Sequence, residues 1–261
     1  MTSGKQARRQ RQEAVARPPV RSTQGRKASP AVLAGAAGVL ALVVVAVVLV
    51  LVLTRGSSTK STAPTPLPET NTAVSLLKGI PQSGRFLGSS SAPVQLLEYI
   101  DLQCSSCQVF ETQVMPTIID KYVRTGKVRV EARPIIAIGP DSKRGAWGAI
   151  AAGEQNRFYT LAQIIYYNQG PENGGWLTDN MVEDAAVGIP GLRLQAFRVA
   201  YGSTAVADQL KRFDAEATAD HVSGTPTVFV SKGSGSRTEV TPGLIPSVEQ
   251  LSAAIDKALR Q

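Results

Sequence analysis

Cys104-Ser105-Ser106-Cys107 constrains this chain more than any other stretch, because its 261 residues contain no other cysteine. Residues three apart on a helix bring their Cβ atoms to about 5–6 Å. A disulfide needs Cα atoms roughly 4.4–6.8 Å apart. A C-x-x-C at a helix start therefore closes and opens with little backbone movement. A helix N-terminus also carries about half a positive charge and unsatisfied N–H groups. Both favour a thiolate on the first cysteine, the form that attacks disulfides. A static bridge is the alternative, but closing so short a loop removes little chain entropy.

The flanks agree with a redox pair. Residues 93–100 (PVQLLEYI) form an apolar run of strand length, and Asp101-Leu102-Gln103 turns the chain. After the cysteines, Val109, Phe110, Val114, Ile118, Ile119 and Tyr122 recur at helical spacing. Pro116 inside that run predicts a kink. The order is strand, short turn, helix. Residues 127–133 (KVRVEAR) alternate as a second strand, so a right-handed βαβ unit is expected.

The segment from Glu98 to Cys107 (EYIDLQCSSC) resembles the active-site segment of the DsbA-like branch of the thioredoxin superfamily, of a membrane-anchored bacterial type. Gly224-Thr225-Pro226-Thr227 resembles that family's loop, whose cis-proline faces the redox pair. The likeness runs from about Leu76 to the C-terminus. It implies an α/β thioredoxin fold with a helical insertion, here about residues 140–221. It also implies that Cys104 is the nucleophile, Cys107 the more buried resolving cysteine, and Thr225 and Pro226 the substrate-facing loop. Glu98 takes the position where such proteins often keep a buried acid as a proton relay; an edge-strand glutamate facing solvent is the alternative. Strongly oxidising members carry a His between the cysteines, whereas Ser105-Ser106 offers only hydroxyls. The expected reduction potential lies between thioredoxin and the strongest oxidants.

Charge does not point to nucleic acid. Residues 1–30 hold eight Lys/Arg against Glu13, a net of +7, while the other 231 residues carry 20 Lys/Arg and 19 Asp/Glu. The main domain lacks the distributed basic patch that nucleic-acid binding needs. Two cysteines and one histidine leave a zinc site one ligand short, so no metal and no cofactor are expected.

Residues 1–30 read as a basic, disordered cytoplasmic tail. Residues 31–53 are uncharged and dominated by Val, Leu and Ala. As a helix they span about 34 Å, enough to cross a hydrocarbon core of roughly 30 Å. The run is too long for a cleaved signal peptide, which makes it an uncleaved transmembrane anchor. The basic flank stays in the cytoplasm and the bulk lies outside, where disulfides persist. Residues 54–72 read as a Ser/Thr/Pro linker, and 73–261 as the redox domain. Within that domain helices are expected over 142–168, 178–187, 192–201, 205–221 and 246–260, and strands over 227–230 and 238–241. Asp101 is expected to cap the turn or the helix start, and His221 to end a helix. Trp147, Trp176, Tyr166 and Tyr167 are expected to pack.

The function that follows is a membrane-anchored, extracytoplasmic thiol-disulfide oxidoreductase acting on cysteine-containing exported proteins. A membrane redox partner such as a quinone-linked oxidase would reset it. The alternatives are a reductase fed by a membrane electron carrier, for example in haem attachment, and a non-catalytic chaperone-like or copper-binding module.

Overall fold

The computed structural model describes residues 63–240 and 245–261. The expected tail and transmembrane segment, residues 1–53, lie outside the described residues. Among the described residues no helix is long and apolar enough to cross a membrane.

A six-stranded sheet organises the domain. Its strands are β1 (Gln82–Ser83), β2 (Phe86–Leu87), β3 (Val94–Ile100), β4 (Val128–Pro134), β5 (Thr227–Lys232) and β6 (Thr238–Glu239), in the order β1-β2-β4-β3-β5-β6. β3 and β4 run parallel, and every other neighbouring pair is antiparallel. The parallel pair needs a crossover, and the helix that follows the cysteines supplies it. β3 is central, which explains its nearly continuous apolar sequence. Its two faces serve different cores. Leu96 and Ile100 join the main core with the cysteines, while Leu97 and Tyr99 meet Phe213 and Ala217 on the other side.

The crossover helix α2 covers residues 105–123 in four contiguous segments: α-helical Ser105–Val109, π-helical Phe110–Val114, α-helical Met115–Ile118 and π-helical Ile119–Val123. Pro116 has no N–H to give, and the π turns on either side accommodate it. A short helix α1 (Thr70–Leu77) precedes the sheet. It begins inside the stretch read as linker, where the Thr65 N–H already donates to Asp184 at 2.9 Å.

The insertion between β4 and β5 consists of α3 (Ser142–Gly153), α4 (Phe158–Tyr167), α5 (Asp179–Val187), α6 (Leu194–Ala200) and α7 (Thr204–Ala219). One expectation fails here: residues 142–168 are two helices. Asn156 turns the chain at φ +58° and caps Gly84 N–H through its side chain at 2.9 Å. The glycine-rich face of α3 lets it approach closely: a Cβ on Gly145 would lie 2.5 Å from Leu102 Cβ, and one on Gly148 2.5 Å from Val182 Cγ1. The last helix, α8 (Val248–Arg260), opens with a reciprocal cap between Ser247 and Gln250.

Candidate active site

The turn after β3 is held by one carboxylate. Asp101 is buried, and its two oxygens accept the N–H groups of Gln103 (2.9 Å), Ala137 (2.8 Å) and Ile138 (2.9 Å). The expected cap is therefore a clamp that ties the cysteine turn to the loop after β4. Tyr166 of α4 donates its hydroxyl to the Asp101 carbonyl at 3.1 Å, and the Cys104 N–H donates to the same carbonyl at 3.1 Å.

Cys104 then caps α2. Its φ, ψ of −70°, 124° are extended, and its sulfur accepts the Cys107 N–H at 3.4 Å. Both thiols are free. Cys104 keeps 3% exposure and Cys107 none, which matches the expected order of access. Their acidities are driven apart. The Cys104 thiol is lowered from 9.0 to about 6, chiefly by the hydrogen bond from the Cys107 thiol. Burial opposes this, and the Thr225 side chain and the N–H groups of Cys107 and Ser106 add to it. Burial pushes the Cys107 thiol up, and the neighbouring Cys104 pushes it further. One sulfur is thus an anion at neutral pH while the other holds its proton.

The loop before β5 faces the pair at the same end of the sheet, since Thr227 stands opposite Tyr99. The Thr225–Pro226 bond is cis, as expected, and the Cys104 thiol lies 3.3 Å from the Thr225 carbonyl oxygen. Residues 121 apart in sequence meet because β5 pairs antiparallel with β3. Gly224, two residues before the proline, is exposed.

Glu98 is fully buried on the Ile100 side of β3, so the solvent-facing alternative is excluded. Neither of its oxygens has a hydrogen-bond partner. Burial raises its pKa well above 4.5, and the charge of Glu111 adds to the rise. Glu111, on α2 and buried, was missed in the sequence. Burial raises it too, and Gln163 donates to it. It lies four residues after Cys107, hence on the same helix face; that spacing was the available signal.

The remaining candidates are structural. His221 is exposed at φ +57° just past α7, ending the helix. Trp147 packs edge-on to Tyr201 at 6.0 Å, and Trp176 donates to the Pro171 carbonyl at 2.9 Å. Tyr166 is core, placed beneath the cysteine turn; Tyr167, beside it, packs partly buried against the same core. Among the described residues no group of three or more His, Cys, Asp or Glu could hold a metal ion.

A family model described as thioredoxin matches residues 82–257. The chain belongs to the thioredoxin family. The probable disulfide bond formation protein D of Bacillus anthracis is 26% identical over 181 residues, 67% of this chain and 78% of that protein. A putative protein-disulfide oxidoreductase of Rickettsia bellii is 25% identical over 198 residues, 74% of this chain and 71% of that one. The fold matches oxidised BdbD of Bacillus subtilis at a TM-score of 0.60 and 19% identity, covering 69% of this chain and 97% of the other. It matches alpha-DsbA1 of Wolbachia pipientis at 0.57 and 21% identity, covering 75% and 94%. Within the thioredoxin family this is the DsbA-like branch, and the chain is a protein thiol-disulfide oxidoreductase.

Proposed function

We propose that this DsbA-like protein forms or exchanges disulfides in exported proteins from the outer face of a membrane, to which residues 31–53 anchor it. The observation that carries the chemistry is the split in acidity between Cys104 and Cys107. In the oxidised protein, a substrate thiolate attacks the Cys104 sulfur and the Cys104–Cys107 bond breaks. Cys107 leaves as a thiolate and takes up a proton. A second substrate thiolate then attacks the substrate sulfur of the mixed disulfide. The leaving group is the Cys104 thiolate, and its low pKa makes it a good one. The substrate is oxidised by two electrons and the protein is left as a dithiol, which a membrane redox partner, quinone-linked for instance, returns to the disulfide.

Thr225 and Pro226 are the substrate-facing groups in this reading, supported by the position of the Thr225 carbonyl at the sulfur. Glu98 serves as the proton relay for Cys107. Its burial and raised pKa support that role, since a buried carboxyl that holds its proton more tightly than an exposed one can pass it to a leaving thiolate and take it back. The uncharged 23-residue run and its +7 flank support the anchor and the extracytoplasmic placement.

The test of chemistry is Cys104→Ser, which should abolish disulfide exchange with a peptide substrate. Retained exchange would end the assignment. The direction is read from the reduction potential against glutathione. A value near −120 mV, roughly that of dedicated oxidants, supports disulfide formation; one near about −270 mV, thioredoxin's, makes the protein a reductase. Protease accessibility of the domain on intact cells tests the placement.

A further inference from the structure

The helix end that holds the Cys104 sulfur also holds a carboxylate. The Ser105 N–H, first of the free donors of α2, points to Glu172 Oε1 at 2.6 Å. Glu172 comes from the loop between α4 and α5, 67 residues away. That loop is not there by chance. Buried Gln103, one residue before Cys104, accepts the Asn173 N–H at 3.0 Å through its side chain, and its carbonyl accepts from Gln169 at 2.9 Å. Its amide in turn donates to Ser142 at 2.9 Å. Within the loop, the Gly174 N–H and the Trp176 indole both close onto the Pro171 carbonyl at 2.9 Å. The segment that carries Glu172 is pinned on both sides of it.

We propose that Glu172 is a positioning residue that limits how strongly the helix terminus stabilises the Cys104 thiolate, and so limits how oxidising the protein is. A helix N-terminus favours negative charge within its first turn only. Here two anions share it. Cys104 draws on the N–H groups of Ser106 and Cys107, while Glu172 takes that of Ser105. The groups acting on the Cys104 sulfur are otherwise neutral at pH 7: the Cys107 thiol and the Thr225 loop. The other nearby carboxylate, Asp101, is turned away onto three backbone N–H groups. Repulsion from Glu172 exists only when Cys104 is a thiolate. The disulfide carries no charge there, so the carboxylate disfavours the reduced form alone. This rests on Cys104–Cys107 exchange chemistry and holds for either direction of electron flow.

The experiment compares the full chain with Glu172→Gln and Glu172→Ala. The thiolate of Cys104 is titrated by its absorbance at 240 nm, and the dithiol–disulfide equilibrium is measured against glutathione at pH 7. Gln keeps an oxygen that can accept the Ser105 N–H but removes the charge; Ala removes both. Both variants should lower the Cys104 midpoint, by about half a unit to one unit for like charges held on neighbouring N–H groups of one helix turn. The glutathione equilibrium should move about three- to tenfold toward the dithiol, where tenfold corresponds to about 30 mV. A role confined to anchoring the loop predicts a silent Gln variant. A midpoint that stays put or rises in Glu172→Gln overturns the inference. If the wild-type pair cannot be reduced at all, the oxidoreductase reading fails instead.

Discussion

Glu98 and Glu111 face one another inside the main core, and among the described residues no ion pair reaches either. Removing two carboxyls from water disfavours their charged forms, and the charge of Glu111 disfavours charge on Glu98 further. Folded, both bind protons more tightly than when unfolded. The folded state therefore holds more protons above the ordinary value of 4.5, and stability falls as pH rises toward the raised folded values. Glu111→Gln removes one of these titrations and keeps an acceptor for Gln163. Thermal melts should show the variant close to wild type at pH 5 and more stable at pH 8, by at least about 1 kcal/mol. Equal stability at both values would mean that the carboxyls ionise without cost. At this scale the cysteines were legible because a C-x-x-C is local chemistry at a local spacing. Glu172 was not, because its own loop folds back onto a helix start 67 residues earlier, a contact that no periodicity announces.

Helix α3 meets the cysteine turn through an absent side chain. Ala ordinarily outranks Gly in a helix by about 1 kcal/mol, so Gly145→Ala would stabilise an open site. Here the added carbon would sit 2.5 Å from Leu102 Cβ and 3.1 Å from Leu177 Cδ2, too close without movement. The overpacking cost of roughly 1–3 kcal/mol should win. Urea unfolding should show Gly145→Ala to be less stable; a variant at or above wild type would mean that Leu102 moves freely. Elements with a strong period were legible: β3, β4 and α8 lie within two residues of their expected bounds. The α3–α4 break was not, since its turn at Asn156 lies inside an otherwise continuous helical pattern. The two-residue strands β1 and β2 are too short to show alternation.

The redox states of the whole molecule should differ in stability, and the difference should depend on pH. Folding lowers the Cys104 thiol from 9.0 to about 6 in the dithiol form alone. A group with a depressed folded pKa contributes stability above its unfolded value and loses it as pH falls through the folded one. Between pH 6 and 8 the unfolded dithiol binds more protons, so the stability of the reduced protein relative to the oxidised one should rise across that window. Denaturant unfolding of both forms at pH 5, 6, 7 and 8 checks this. A constant gap would remove the thiolate as the source of oxidising power. The thioredoxin fold and its helical insertion were legible from two short motifs, because β3 and β5 must pair to bring those motifs together.

Cys107 exposes no surface to solvent. To reagents outside, the pair presents one reactive atom, and a client caught there that has no second thiol of its own to release it depends on an internal group that no other cysteine in the chain can replace. Cys107→Ala would keep the door and remove the latch. In living cells that variant would accumulate covalently bound clients, turning a transient encounter into an inventory readable by mass spectrometry.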